Sequence, residues 1–275
     1  MRTSRLGLGT ASLHHLFGTR SRQALLDHAW DLGIRYFDTA PLYGHEMAER
    51  EVGYFARRRR EQVLIATKFG ILPDPRLARH PSLLYARLAA GAALRRFLPA
   101  ARLGGEPARD YSPAYARQRL ERSLSILGTD YVDILFLHEP SLRMIMDLQG
   151  LAMELGRLKA AGKVRQVGLS GPRLQCAALA RRCPAIAEVL QVEVGSSNNA
   201  ASIQTACRQP QVTFGHFRGT PLGKARSPEH RAAQLDACMA RAISTNPEGV
   251  ILFSTRRSAH LDDLCAALKR IESGL

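Results

Sequence analysis

Short runs of β-branched and aromatic residues alternate along this chain with longer stretches whose apolar positions recur at helical spacing. Leu6–Thr10 reads as a first strand. A helix over Arg22–Leu32 ends at Gly33, a residue suited to a helix C-cap. Ile34–Phe37 follows as a strand that delivers Asp38, and Pro41 and Gly44 hold the next residues, Tyr43 among them, in a loop. A helix over Glu46–Arg60 leads to strand Val63–Thr67 with Lys68 at its end. Ser112-Pro113 caps a helix over Ala114–Leu127, stopped by Gly128, and strand Val132–Leu137 delivers His138. Helix Leu148–Ala161 stops at Gly162, and strand Val164–Leu169 delivers Ser170. Helix Arg173–Arg182 precedes strand Val189–Val194. Val212–Phe217 and Val250–Phe253 are the last two strands, and helix His260–Ile271 follows them.

Eight strand-like runs, most separated by helices, are what an α/β (β/α)8 TIM barrel requires. An open doubly wound sheet would usually carry a glycine-rich phosphate loop. The stretch Gly7-x-Gly9-x-x-Ser12 lacks the third glycine of that fingerprint. The expectation is one barrel domain over residues 1–275, interrupted at about 71–112 by a proline-rich insertion. That insertion includes an amphipathic helix over Leu83–Leu98 and reads as a lid or binding loop, with a packing decoration as the alternative.

A length of 275 residues with 45% apolar content suits one such domain. No run of 18 apolar residues appears and the first residues lack the apolar core of a signal peptide, so neither a membrane span nor a leader is expected. Five cysteines form no CxxC pair, which fits reduced thiols in the cytoplasm, and no metal is expected. The formal charge of +15 raises the question of a polyanionic partner. The cations are spread along the chain, however, and the one dense run, Arg57–Arg60, ends a helix without interleaved aromatics. No nucleic-acid partner is expected, and an anionic cofactor accounts for part of the charge.

Asp38, Lys68, His138 and Ser170 all fall at carboxyl ends of strands, and Tyr43 lies in the loop after the first of these. Each has a bland reading, Asp38 as a helix cap, Lys68 as a solvated base, His138 as a core histidine. Together on one barrel rim they describe proton donation to a carbonyl. A tyrosine with a pKa of about 10 is a poor acid unless a nearby ammonium stabilises its phenolate. A carboxylate can fix that ammonium, and a neutral histidine can hydrogen-bond and orient the substrate oxygen. No side chain supplies a hydride, so a nicotinamide cofactor is required.

The motifs YFDTAPLYG (36–44), ATKFG (66–70), LGTDYVDILFLHEP (127–140) and GKVRQVGLS (162–170) resemble those of the aldo-keto reductases, soluble bacterial-type members in particular. The resemblance runs over nearly the whole chain. It implies a (β/α)8 barrel that reduces an aldehyde or ketone with NADPH, with Asp38, Tyr43, Lys68 and His138 as the catalytic tetrad and Tyr43 as general acid. It also implies a monomer. Ser170 and Gln191 match the residues that hold the nicotinamide carboxamide, whereas the asparagine usual after that serine is replaced by Gly171. Phe214 or His216 would stack on the nicotinamide. Ser254, Thr255, Arg256, Arg257 and His260 match the segment that grips the adenosine phosphate. Two arginines there suit a 2′-phosphate and favour NADPH over NADH, unless they are only a solvated helix start. The stretch before Leu6 is too short for the N-terminal hairpin of longer members, and the chain ends soon after its last helix. Substrate selection would then fall on the 71–112 insertion. The alternatives are another nicotinamide reaction on the same tetrad, a cofactor-binding regulatory subunit with weak or no turnover, and a class I aldolase using Lys68.

Overall fold

The computed structural model describes residues 4–80, 82–87, 89, 90, 107–194, 212–218 and 227–274. All eight expected strands form: β1 (Leu6–Gly9), β2 (Tyr36–Asp38), β3 (Leu64–Phe69), β4 (Val132–His138), β5 (Val164–Gly171), β6 (Val189–Glu193), β7 (Val212–Phe214) and β8 (Val250–Phe253). Every neighbouring pair is parallel, and β8 returns to β1 to close a barrel in chain order. The helices are α1 (Thr19–Asp31), α2 (Met47–Ala56), α3 (Pro75–Arg79), α4 (Pro113–Leu127), α5 (Leu148–Ala160), α6 (Arg173–Arg182), α7 (Pro228–Thr245) and α8 (Ser258–Ser273). None of the described helices is long and apolar enough to cross a membrane.

Strand alternation sorts the core into two parts. Tyr36, Ala66, Ile134, Phe136, Val189, Val212, Val250 and Leu252 point inward and pack as one cluster inside the barrel. Their neighbours in sequence, such as Phe37, Ile65, Leu135, Leu169, Leu190 and Ile251, point outward into the larger cluster under the helices. One step of two residues beyond the inner cluster brings each strand to the carboxyl rim. Tyr36 is thus followed by Asp38, Ala66 by Lys68, Phe136 by His138 and Val189 by Gln191. The register sets His138 beside Ser170 and Ser170 beside Gln191.

Three local differences from expectation have physical causes. The second helix stops at Ala56, short of Arg60, because the arginines that follow turn back onto the fold. Arg59 pairs with Asp27 and Arg60 with the buried Asp133, both at 2.9 Å, and Arg60 also stacks on Tyr131. Strand β7 ends at Phe214, not Phe217, since Gly215 adopts φ 92° and begins a turn. Helix α7 was not anticipated. Ser227 caps it by accepting from His230 N, and its buried face is Leu235, Cys238, Met239 and Ala242. The middle of the 71–112 insertion, including much of its expected helix, lies outside the described residues.

Candidate active site

Asp38 ends β2, and Lys68 lies one residue before the end of β3, both facing inward. The Lys68 ammonium donates to both Asp38 oxygens at 2.6 Å and to the Thr39 carbonyl at 3.0 Å. Both side chains are buried. Burial acts against the Lys68 charge, but the Asp38 carboxylate and Tyr43 hydroxyl outweigh it and hold the lysine above its ordinary value.

Tyr43 comes from the loop after β2 and is half-buried. The Lys68 ammonium lies 4.7 Å from its ring centre, and its charge favours the ionised form of the Tyr43 hydroxyl. Burial pushes the phenol up and Lys68 opposes that, so Tyr43 is protonated at neutral pH. The loop is held by Glu46, whose carboxylate pairs with Arg119 at 2.6 Å and Arg122 at 2.9 Å of α4. His45 and Glu46 take left-handed backbone angles to make that turn. His138 closes β4, meeting Tyr43 edge to face with centroids 5.8 Å apart. Burial, with Lys68 and Arg109 nearby, drives its pKa well down, so the imidazole is neutral.

Asp38, Tyr43 and His138 border a cavity of about 470 Å³ that also reaches Ser170, Gln191 and Phe214. Gln191 is buried, and its Oε1 has no partner among the described residues. A buried orphaned acceptor is costly unless a donor arrives, and an amide N–H of a nicotinamide would be one. Phe214 points into the cavity, whereas His216 is turned toward Thr213 Oγ1 at 2.8 Å and does not line it. Phe217, which no local pattern singled out, does line it.

The cavity continues past Phe217, Phe253 and Ser254 into a second hollow of about 310 Å³ toward Thr255, Arg257 and His260. Thr255 Oγ1 accepts from Arg257 N at 3.1 Å and lies 3.2 Å from His260 Nδ1, which shapes the turn into α8. Arg256 and Arg257 are exposed and form no ion pair with a described carboxylate; Arg256 borders a further hollow beside His15. Gly171 lies against the chain that follows β4. A Cβ at that position would come within 2.9 Å of the Glu139 Cα, so the chain after β4 occupies the room an asparagine needs.

The structure thus defines a (β/α)8 barrel whose carboxyl rim gathers an acid, a lysine, a tyrosine and a neutral histidine. The chain belongs to the aldo/keto reductase family, whose sequence profile matches residues 5–214. It is 28% identical over 241 residues to the NADP(+) aldo-keto reductase yakc of Schizosaccharomyces pombe, covering 82% of this chain and 61% of that protein. It is 32% identical over 171 residues to a D-threo-aldose 1-dehydrogenase of Pseudomonas, covering 60% and 49%. The chain therefore spans about half to three fifths of these relatives' lengths. Among solved structures, an aldo-keto reductase from Bacillus halodurans in its holo form superposes with a TM-score of 0.72 at 19% identity, covering 97% of this chain and 87% of that one. One from Klebsiella pneumoniae in complex with NADPH gives 0.67 at 19%, covering 97% and 86%. At such identity the likeness is one of fold.

Proposed function

We propose that the protein is an NADPH-dependent oxidoreductase that reduces an aldehyde or ketone to an alcohol, and that Tyr43 is the general acid. The observation that carries this reading is the chain of contacts from the buried Asp38–Lys68 pair to Tyr43, with the neutral His138 ring set against Tyr43 at the cavity wall. NADPH, held here, would supply the hydride. As negative charge develops on the substrate oxygen, Tyr43 transfers its phenolic proton there. Lys68 stabilises the phenolate left behind, and Asp38 keeps Lys68 charged and in place. His138 donates a hydrogen bond to the same oxygen and orients it.

Ser170 and Gln191 are assigned to the carboxamide, with Gln191 Oε1, which has no partner among the described residues, as acceptor. Phe214 is assigned to the ring face. Ser254, Thr255, Arg256, Arg257 and His260 are assigned to the adenosine phosphate, and the two arginines, which pair with no described carboxylate, favour a 2′-phosphate. The aldolase alternative needs a neutral Lys68 amine, and the elevated lysine pKa beside Asp38 speaks against it. The NADP(+) and aldose names of the relatives support a nicotinamide cofactor and a small carbonyl substrate.

The test is a calorimetric titration with NADPH and, separately, NADH, followed by a screen of carbonyls with the wild type and Tyr43→Phe. Tight NADPH binding, weak NADH binding and turnover that vanishes in Tyr43→Phe without loss of cofactor affinity are expected. Binding of NADPH without turnover of any carbonyl would favour the cofactor-binding regulatory or interaction role instead, and no binding of either cofactor would remove the oxidoreductase reading. Turnover retained by Tyr43→Phe would remove the proposed acid.

A further inference from the structure

The two ends of the 71–112 insertion close on each other directly above β3. Leu72 N donates to the Ala108 carbonyl at 2.9 Å, Asp110 N to the Gly70 carbonyl at 2.8 Å, and Ile71 and Arg109 form an antiparallel bridge between them. The residue that follows this closure, Tyr111, is 3% exposed. Its ring packs edge to face with Phe69 and lies so close over Gly70 that a Cβ there would sit 2.1 Å from a ring carbon. That packing aims the hydroxyl across the rim. It donates to the His138 carbonyl at 2.6 Å and reaches the Glu139 carbonyl at 3.1 Å. Beside it, Arg109 donates to the Glu139 carbonyl at 3.2 Å and pairs with its carboxylate at 3.1 Å.

His138 needs such an anchor because of where it stands. It is the last residue of β4, and the chain turns sharply after it, with Glu139 at φ 50°. No described residue hydrogen-bonds the His138 ring, which meets Tyr43 only edge to face. The ring is therefore aimed by its own backbone, which the β4–β5 pairing holds on one side, with Glu139 N donating to the Ser170 carbonyl at 2.6 Å, and whose carbonyl Tyr111 holds on the other. Burial pushes the Tyr111 phenol up to about 12, with Arg109 opposing, so it stays a donor across the working range.

We infer that Tyr111 is a positioning residue: its hydroxyl fixes the backbone of His138 and thereby the direction from which the imidazole meets the carbonyl. The inference rests on the reading of His138 as the group that orients the substrate oxygen. It also means that the base of the insertion and the catalytic rim move as one piece, because Arg109 and Tyr111 from the closing stem hold Glu139 and His138 together.

The test is Tyr111→Phe, which keeps the ring over Gly70 and removes only the hydroxyl. Turnover of 4-nitrobenzaldehyde with NADPH should fall about tenfold in kcat, since small misplacements of an orienting group are felt strongly at the reacting centre. The NADPH affinity measured by calorimetry should stay within about twofold, because the cofactor-binding residues are untouched. The His138 imidazole resonances, identified in NMR spectra by their loss in His138→Gln, should shift in the variant without any substrate present. An unchanged kcat together with unmoved His138 resonances would overturn the inference. So would a loss of cofactor affinity as large as the loss of kcat, which would mark general loosening of the rim. If the wild type reduces no carbonyl, the reductase reading fails by itself, and the NMR comparison still decides whether Tyr111 positions His138.

Discussion

The Lys68 ammonium sits 2.6 Å from each oxygen of Asp38 with both groups shut away from water. The pair is a unit, because neither charge has a solvated alternative. Removing one partner leaves the other buried and uncompensated, at a typical cost of about 3–5 kcal/mol. Asp38→Ala should therefore lower the urea midpoint strongly as well as abolish turnover. Asp38→Leu combined with Lys68→Met should recover much of the stability and none of the activity. A double variant as unstable as Asp38→Ala would show that the two residues do not act as a pair.

Gly171 makes a second case in which stability and site chemistry oppose each other. Restoring asparagine forces side-chain atoms toward the Glu139 Cα, only 2.9 Å from where a Cβ would lie. Gly171→Asn should destabilise the fold by about 1–3 kcal/mol, as overpacking does. Thermal unfolding measures this. A variant of undiminished stability that binds NADPH more tightly would mean that the β4 end gives way readily.

The proposed adenosine-phosphate site is testable by cofactor preference alone. Arg256 and Arg257 have no carboxylate partner among the described residues, so their charge is available to an anion. Replacing either with alanine should weaken NADPH about tenfold, roughly 1.4 kcal/mol, with little effect on NADH. Equal losses for the two cofactors in calorimetric titrations would remove the case for 2′-phosphate recognition.

Acid should weaken the fold over a defined window. Burial lowers His14 and His216 to about 4, with His15 adding to the effect on His14, and His138 lies well below its ordinary value. The unfolded chain takes up protons on these groups near pH 6.5, while the folded chain refuses them. Stability is thus complete above about pH 6.5 and falls as pH drops toward 4. Urea midpoints at about pH 7.5 and pH 5 should differ in that direction, and His216→Gln should lessen the difference. A midpoint that rose on acidification would contradict the buried neutral histidines.

Much of this architecture was legible in the sequence because strands write their register into it. Inward positions two apart, as in Tyr36 and Asp38 or Phe136 and His138, carry an apolar floor and then a functional group. That alternation places the acid, the lysine and the histidine on one rim. It fails once a strand ends. Continuing β7 to Phe217 would send that ring outward with Thr213, but the turn at Gly215 brings it into the cavity and turns His216 away. Tyr111 left no local signal at all, since its role comes from a contact with His138, 27 positions along the chain. Helix α7 did leave one, the Ser227-Pro228 start and the spacing of Leu235, Cys238, Met239 and Ala242. Its small and sulfur-containing face made the apolar stripe faint.

The pairing of β1 with β8 carries a consequence for how the protein is made. Leu6 lies opposite Ile251 and Leu8 opposite Phe253, so the first strand of the barrel to be made waits for the eighth before its outer edge is covered. Throughout synthesis of the intervening helices, β1 and the newest strand each present an unpaired edge of the kind that recruits other chains. Covering both edges therefore waits on the longest-range strand pairing of the barrel, between residues some 245 positions apart.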